Sequence, residues 1–200
     1  RSPPLYSSAA SDVYKRQDFK MFLLYIKRMD KKTILRKNAK DIRKTLDIVN
    51  ISAKIRENLK KHPFYENSKN IMIFYPTKYE VNLLGLMSFS DKKFFLPRVK
   101  GMELEVCEFS EESELKKSEF NIFEPITNPI QPSLLDLVIV PALMADKKGY
   151  RLGYGGGFYD RFLSENKGQF KTIVVIPQKL YVEELPIDEY DEKIDYVVTD

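Results

Sequence analysis

The residues from Asp146 to Asp160 concentrate most of the groups with which this chain could do chemistry. They read Asp-Lys-Lys-Gly-Tyr-Arg-Leu-Gly-Tyr-Gly-Gly-Gly-Phe-Tyr-Asp and hold five of the chain's eight glycines. Glycine reaches backbone angles closed to other residues, so such a loop can turn its N–H groups inward as an anion cradle. A helix expected to begin near Phe158 would aim the positive end of its dipole at the same place. Asp160, in that first turn, could hold a divalent cation against bound phosphates. Types and spacing therefore propose a phosphate site with a metal; the alternative is a tight strand-to-helix turn with no ligand. No Gly-Lys-Ser/Thr follows at the spacing of a Walker A loop. The dinucleotide fingerprint also fails, because Phe158 stands where its third glycine should be.

Other candidates are few. His62 is the only histidine, and beside Pro63 at a helix end it reads as a capping or surface residue rather than a triad member. Cys107 is the only cysteine, so neither an intrachain disulfide nor a thiolate zinc cluster can form, and a reducing, cytoplasmic setting is expected. Lys32, Arg36, Lys40 and Arg43 recur at helical spacing; taken alone, such a stripe is a solvated face. Glu80 follows a strand end, where α/β sheets put their ligands, although a carboxylate in a helix first turn would explain it equally.

These groups need elements to hold them. Leu35, Ala39, Ile42, Leu46 and Val49 give a helix one apolar face, and Ile48, Ile51, Ile55 and Leu59 continue it or start a second helix near Asn50–Ser52. His62-Pro63 is expected to end the helical region. Asn70–Tyr75 is a buried-strand pattern, and Glu80 is expected to open a short helix with Val81, Leu84 and Met87 inward. Lys93–Pro97 is a strand ended by Pro97-Arg98. Met102–Phe109 reads as an exposed or edge strand, Glu111–Glu119 as a charged helix or loop, and Asn121–Ser133 as an irregular connection. Leu134–Val140 is the most apolar strand; Phe158, Tyr159, Phe162 and Leu163 should pack a helix on the sheet. Lys171–Pro177 and Tyr196–Thr199 are further strands. Strands alternating with helices indicate an α/β, Rossmann-like three-layer sandwich, with a mostly parallel central sheet flanked by helices.

The 200 residues are enough for one domain with a proper core. Residues 1–28 show neither helical period nor strand alternation sufficient for a fold, and read as a disordered or non-native N-terminal extension. Met29 is the expected start of a single α/β catalytic domain, 29–200. The net charge of +4 belongs to that leader, which holds six Lys/Arg and two Asp/Glu. Within the body, 29–61 carries eleven bases against four acids and 178–200 two against eight. That asymmetry suits a protein gripping an anion at one place and a cation at another. No basic face with interleaved aromatics emerges, and no apolar run approaches the ~20 residues of a membrane span. Neither a nucleic-acid nor a membrane partner is expected, and the protein should be a monomer.

Pro141-Ala-Leu-Met-Ala-Asp146 followed by Gly149-Tyr-Arg-Leu-Gly-Tyr-Gly-Gly-Gly-Phe-Tyr-Asp-Arg161 resembles the signature of the 5-formyltetrahydrofolate cyclo-ligase (5,10-methenyltetrahydrofolate synthetase) family. Lys32-Thr-Ile-Leu-Arg36 is similar to its opening motif and Phe74-Tyr-Pro-Thr-Lys-Tyr-Glu80 to its folate-binding segment. Phe95-Leu-Pro-Arg98 resembles the next strand, and Glu189-Tyr-Asp191 with Asp195–Thr199 the closing segment. Ala142 replaces a usual glycine and Met144-Ala145 a usual Ala-Phe or Gly-Phe; neither change removes a charged ligand.

The resemblance implies a ligase that takes Mg2+ and uses ATP as co-substrate in one-carbon metabolism. It would convert 5-formyltetrahydrofolate into 5,10-methenyltetrahydrofolate, ADP and phosphate through a phosphorylated imidate. It further implies ATP contacts at Lys32, Arg36, Arg151, Leu152, Gly153, Tyr154, Gly155, Gly156, Gly157, Phe158 and Tyr159. Tyr75, Glu80, Tyr154, Gly155, Gly156, Gly157 and Phe158 would meet the folate, and Asp160 and Asp191 the metal. Arg98 is a candidate transition-state cation, with a strand-end role as its rival. The competing reading from another class is a non-catalytic nucleotide- or phosphate-binding module on the same fold.

Overall fold

The computed structural model describes residues 31–88, 91–119 and 121–200. The expected extension, 1–28, lies outside the described residues. Helix α1 runs over 31–44, and α2 (Ile48–Lys60) and α3 (Pro63–Glu66) follow. Next come β1 (Asn70–Met72), β2 (Lys93–Lys100), β3 (Glu103–Phe109), β4 (Leu115–Lys117), β5 (Phe123–Pro125), β6 (Pro129–Ile130), β7 (Leu137–Val140), β8 (Met144–Asp146) and β9 (Arg151–Leu152). The chain closes with α4 (Phe158–Glu165), β10 (Lys171–Val175), β11 (Tyr181–Val182) and β12 (Tyr196–Val198).

Seven strands form the central sheet in the order β12-β10-β7-β1-β2-β3-β6. The five from β12 to β2 are mutually parallel; β3 runs antiparallel to β2 and β6. Side chains alternate across it, as the strand period of two requires. Ile71, Leu137, Ile139, Ile173 and Val175 pack on one face with Ile55 and Leu59 of α2 and Tyr65 of α3. Met72, Val138, Val140 and Val174 pack on the other with Ala39 of α1 and Phe162 and Leu163 of α4. Because both faces are covered, β7 is apolar and buried at all four positions. The three-layer α/β sandwich expected from the sequence is the fold found.

Several local expectations give way to tertiary contacts. The second helix starts at Ile48, because the Asp47 side chain accepts from the Asn50 N–H and caps it there. Val49, expected on the apolar face, is 78% exposed. Helical structure does not end at His62-Pro63: His62 becomes the N-cap of α3, its Nδ1 accepting from the Phe64 N–H at 3.2 Å, and Pro63 takes the first-turn place that suits it. No α-helix opens at Glu80. The backbone there is satisfied by α2 instead, with the Asn82 N–H donating to Ser52 Oγ and Arg56 donating to the Asn82 carbonyl. Only a 3-10 turn forms at Leu84–Leu86, and Val81, Leu83 and Leu86 are the buried residues.

Proline does not end β2. Pro97 lies beyond Phe95, the last position paired with β1, where β2 has a neighbour on one side only and a missing N–H is tolerated. β3 is covered by β6 at Val106 and Cys107, both fully buried, so it is an edge only outside that stretch. The 111–119 segment carries the short strand β4, and β5 and β6 interrupt the connection expected at Asn121–Ser133.

Burial pushes the His62 imidazole below its usual value. The folded state therefore holds less proton at this ring than the unfolded chain, so stability is complete above about pH 6.5 and falls as pH drops through the depressed folded value. With one histidine in the chain, urea titrations between pH 5 and 7 should show this loss in the wild type. They should not show it in His62→Asn, which keeps an N-cap side chain but cannot titrate. An equal slope in both proteins would assign the loss elsewhere.

Candidate active site

The strand order reverses between β1 and β7: from β1 the chain goes to β2 on one side and later to β7 on the other. Outside the carboxyl ends of such a pair the loops diverge and leave a crevice, the place where open parallel sheets bind ligands. The segment after β1 brings Tyr75 and Glu80 there, and the segment after β7 brings Ala142 and then the glycine loop. Arg43 of α1 spans the gap. Its Nη1 donates to the Tyr79 carbonyl at 3.1 Å and its Nη2 to the Ala142 carbonyl at 2.5 Å, joining the two loops. The side chain is only 3% exposed, and Nε has no partner among the described residues. Burial lowers the Arg43 pKa, opposed by the charge of the nearby Tyr154 and Glu80 groups.

Glu80 is 7% exposed. One oxygen accepts from the Thr77 N–H at 2.8 Å and the other from the Tyr154 hydroxyl at 2.5 Å. Burial and then the Glu80 charge push the Tyr154 phenol far up, so it stays a donor. Tyr159 lies in the same neighbourhood. Its buried hydroxyl has no partner among the described residues, and burial followed by the Glu80 charge drives its pKa up as well. The Tyr75 ring packs 5.2 Å from Phe123 of β5 at the outer wall.

The glycine loop leaves β9 and enters α4 through Gly157, whose φ of 67° makes it a left-handed N-cap with no side-chain hydrogen bond to the first turn. A Cβ there would also lie 2.8 Å from Arg161 Nη1. The N-terminus of α4 thus has no side-chain cap, and its dipole favours an anion there. Gly155, at φ 108°, lets the loop pass the Arg36 guanidinium, and Arg36 Nε donates to the Gly153 carbonyl at 3.0 Å. Arg161 pins the far side, donating to the carbonyls of Gly156 and Met102; its guanidinium lies over the Phe158 ring at 5.1 Å.

Beneath the loop, each buried charge has hydrogen-bond partners. Asp146 is fully buried. Its oxygens accept from the N–H groups of Lys148, Tyr150 and Leu185, each at 2.9 Å, which fixes how the loop leaves β8. Arg151, also buried, donates to Asp160 Oδ1 at 2.8 Å and to the Glu192 carbonyl at 3.0 Å. Lys32, 5% exposed, donates to Oδ2 of both Asp188 and Asp191 at 2.6 Å. Each expected phosphate-binding cation here therefore faces an expected metal ligand.

The stripe on α1 is not a solvated face. Lys32 and Arg43 are buried, Arg36 grips the loop, and Lys40 lies 5.9 Å from the Tyr154 ring centroid. Helical periodicity, read as a single face directed at the glycine loop, was the signal for Arg43, which sequence reasoning did not assign. Asp188 carried no signal beyond its acidic loop. Arg98 donates to Glu105 and to the carbonyls of Pro125 and Thr127. A groove of about 850 Å³ opens beside Asp136, Lys171 and Asp195, at the other ends of the strands. Of the residues expected at the site from the sequence, only Asp191 lines it.

The sites expected for magnesium can be tested against this geometry. Asp160 Oδ2 and Asp191 Oδ1 accept no hydrogen bond from the described residues, while the other oxygen of each is engaged. Among the described residues no group of three or more His, Cys, Asp or Glu could hold a metal ion alone. Two carboxylates with one free oxygen apiece fit Mg2+, which completes its shell with water and phosphate.

Asp146→Ala should lower unfolding stability by about 2–4 kcal/mol, because three N–H groups, that of Leu185 buried and those of Lys148 and Tyr150 partly so, lose their acceptor. Urea denaturation with an unchanged m-value would show it. A shift too small to measure would mean that the loop's exit does not depend on this carboxylate.

Known proteins resemble this chain in sequence and fold. The profile of the 5-formyltetrahydrofolate cyclo-ligase family matches residues 27–200. A 5-formyltetrahydrofolate cyclo-ligase of Haemophilus influenzae is 31% identical over 135 residues, 62% of this chain and 72% of the relative. One of Mus musculus is 31% identical over 154 residues, 68% and 76% of the two chains. The solution structure of Aquifex aeolicus 5,10-methenyltetrahydrofolate synthetase superposes with a TM-score of 0.73 at 33% identity, covering 84% of this chain and 88% of that one. The Mycoplasma pneumoniae synthetase structure shares the fold at a TM-score of 0.69 and 22% identity, over 84% and 98%.

Proposed function

This chain belongs to the 5-formyltetrahydrofolate cyclo-ligase family, and from that premise we propose how its residues divide the work. The protein is a ligase that closes 5-formyltetrahydrofolate to 5,10-methenyltetrahydrofolate. ATP is its co-substrate, Mg2+ accompanies the nucleotide, and residues 29–200 act as one catalytic domain. The observation that carries this reading is the meeting, in one crevice, of an uncapped glycine-loop helix, paired bases and acids, and the buried Glu80 carboxylate.

The triphosphate lies along the loop from Arg151 to Tyr159, on the N–H groups at the start of α4. Arg36 and Lys32 approach from α1 and Arg151 from below, its planar fork suited to two phosphate oxygens. Asp160 and Asp191 would hold Mg2+ by their free oxygens, and the bound ion supplies charge neutralisation at the phosphates. The folate ring lies between Tyr75 and the loop, with its N–H donors toward Glu80. Tyr154, Gly155, Gly156, Gly157 and Phe158 then border both ligands.

The formyl oxygen attacks the γ-phosphorus as the bond to ADP breaks. The neighbouring anilinic nitrogen adds to the activated carbon, its proton and the phosphate leave, and the methenyl bridge remains. No protein nucleophile is needed, because the residues work by aligning the two reactants and balancing charge. Arg98, fully engaged at Glu105, Pro125 and Thr127, reads best as a support of β2 rather than a transition-state cation. Among the described residues no helix is long and apolar enough to cross a membrane. A cytoplasmic monomer without nucleic-acid or membrane partner is the setting this reading takes.

Mixing the protein with 5-formyltetrahydrofolate and Mg·ATP should give an ATP-dependent rise in the near-ultraviolet absorbance of the methenyl product. ATP binding with neither folate binding nor turnover would favour a nucleotide-sensing module instead. Asp160→Asn should lose turnover by at least about a hundredfold while still unfolding cooperatively in urea, at a midpoint lowered by the loss of the charge opposite Arg151. Full activity in that variant would remove Asp160 from the metal.

A further inference from the structure

The contact between Tyr154 and Glu80 has a consequence that the reaction itself does not require. Glu80 is the buried carboxylate facing the crevice, yet neither of its oxygens is free: Thr77 donates to one and the Tyr154 hydroxyl to the other. The phenol reaches it from a different part of the chain, across the crevice from the glycine loop. The Tyr154 residue as a whole is 44% exposed; Lys40 lies 5.9 Å from its ring centroid, and its hydroxyl is committed to Glu80. Gly153 lies on one side of Tyr154 and Gly155, Gly156 and Gly157 on the other, a glycine backbone anchored at the Gly153 carbonyl by Arg36 and at the Gly156 carbonyl by Arg161, between which the ring can swing. Arg43 stays beside Glu80 through its own bonds to Tyr79 and Ala142, so the carboxylate keeps a nearby cation when the phenol leaves.

We propose that Tyr154 is a specificity-determining placeholder. Its hydroxyl occupies the acceptor oxygen of Glu80 that the folate ring's N–H edge must take, so only a ligand offering such donors can displace it. This rests on the folate role of Glu80 given above. The exchange trades one hydrogen bond to a charged acceptor for another. A ligand with a donor edge recovers what it breaks, whereas one without leaves that Glu80 oxygen short of the donor it had and gains nothing from moving the ring. The glycine loop serves as the hinge of the placeholder as well as the cradle for phosphate.

The test compares wild type, Tyr154→Phe and Glu80→Gln by calorimetric titration without nucleotide. The probes are 5-formyltetrahydrofolate and its fragment p-aminobenzoylglutamate, which lacks the ring donors. Removing the hydroxyl alone from a half-exposed ring should leave the thermal midpoint close to that of the wild type. Tyr154→Phe is expected to bind 5-formyltetrahydrofolate about tenfold more tightly, since the competitor is gone, and the fragment no differently. Unchanged or weaker binding of the full folate overturns the proposal. An equal gain for the fragment also overturns it, because the ring would then be a steric cover rather than a rival donor. Glu80→Gln separates the two layers. If it binds the folate like the wild type, the folate role of Glu80 fails and the placeholder with it. If it loses affinity while Tyr154→Phe shows no gain, the placeholder alone fails.

Discussion

A buried charge must be paired, and the organisation of this protein around its crevice follows from that constraint. Lys32, Arg43 and Arg151 are each less than a tenth exposed, and leaving any of them without a partner would cost several kcal/mol. Each finds its partner in a segment distant along the chain: Lys32 in the turn at Asp188–Asp191, Arg43 in the carbonyls of Tyr79 and Ala142, and Arg151 in Asp160 and the Glu192 carbonyl. These bonds draw the first helix, the loops after β1 and β7, the start of α4 and the acidic segment to one point. The apolar core explains why the layers stack. The paired charges explain why these loops, rather than others, converge.

The same pairs bear on the proposed ligands. Lys32 and Arg151, proposed to meet phosphate, neutralise Asp191 and Asp160, proposed to meet a metal. A metal nucleotide offers both halves of the exchange, a cation for the carboxylates and an anion for the bases. Either half alone would leave a buried group unmatched. Glu80 and Tyr154 repeat the logic with a neutral donor in place of a cation. The glycines stand where these exchanges need backbone freedom, at φ 67° for Gly157 and 108° for Gly155.

The parts of the fold that were legible are those set by short-range pattern. The near-continuous apolar runs through Asn70–Tyr75, Leu134–Val140 and Lys171–Pro177 mark strands buried on both faces. The helical period from Lys31 marks α1, and the glycines before Phe158 mark the start of α4. The errors share one cause. Val81, Leu84 and Met87 suit a helix, yet Ser52 and Arg56 of α2 supply the hydrogen bonds that such a helix would have made for itself. Val49 fits an apolar period but lies where nothing packs against it. Periodicity reports which residues could share a face; it does not report whether another element arrives to cover that face.

By itself, the sequence determined the α/β class, the layered sheet and the loop on which the chemistry turns, because hydrophobic period, proline and glycine act over a few residues. The basic stripe on α1 and the acids near the C-terminus were both visible there as separate concentrations of charge. Only the tertiary structure decided that they meet, that Arg43 closes the gap between two loops, that Asp188 shares Lys32 with Asp191, and that Tyr154 sits on Glu80. Lys32 and Asp191 are 159 positions apart, and no local preference specifies such a pair. The sheet's strand order brings them together, and the cost of burying a charge alone holds them there.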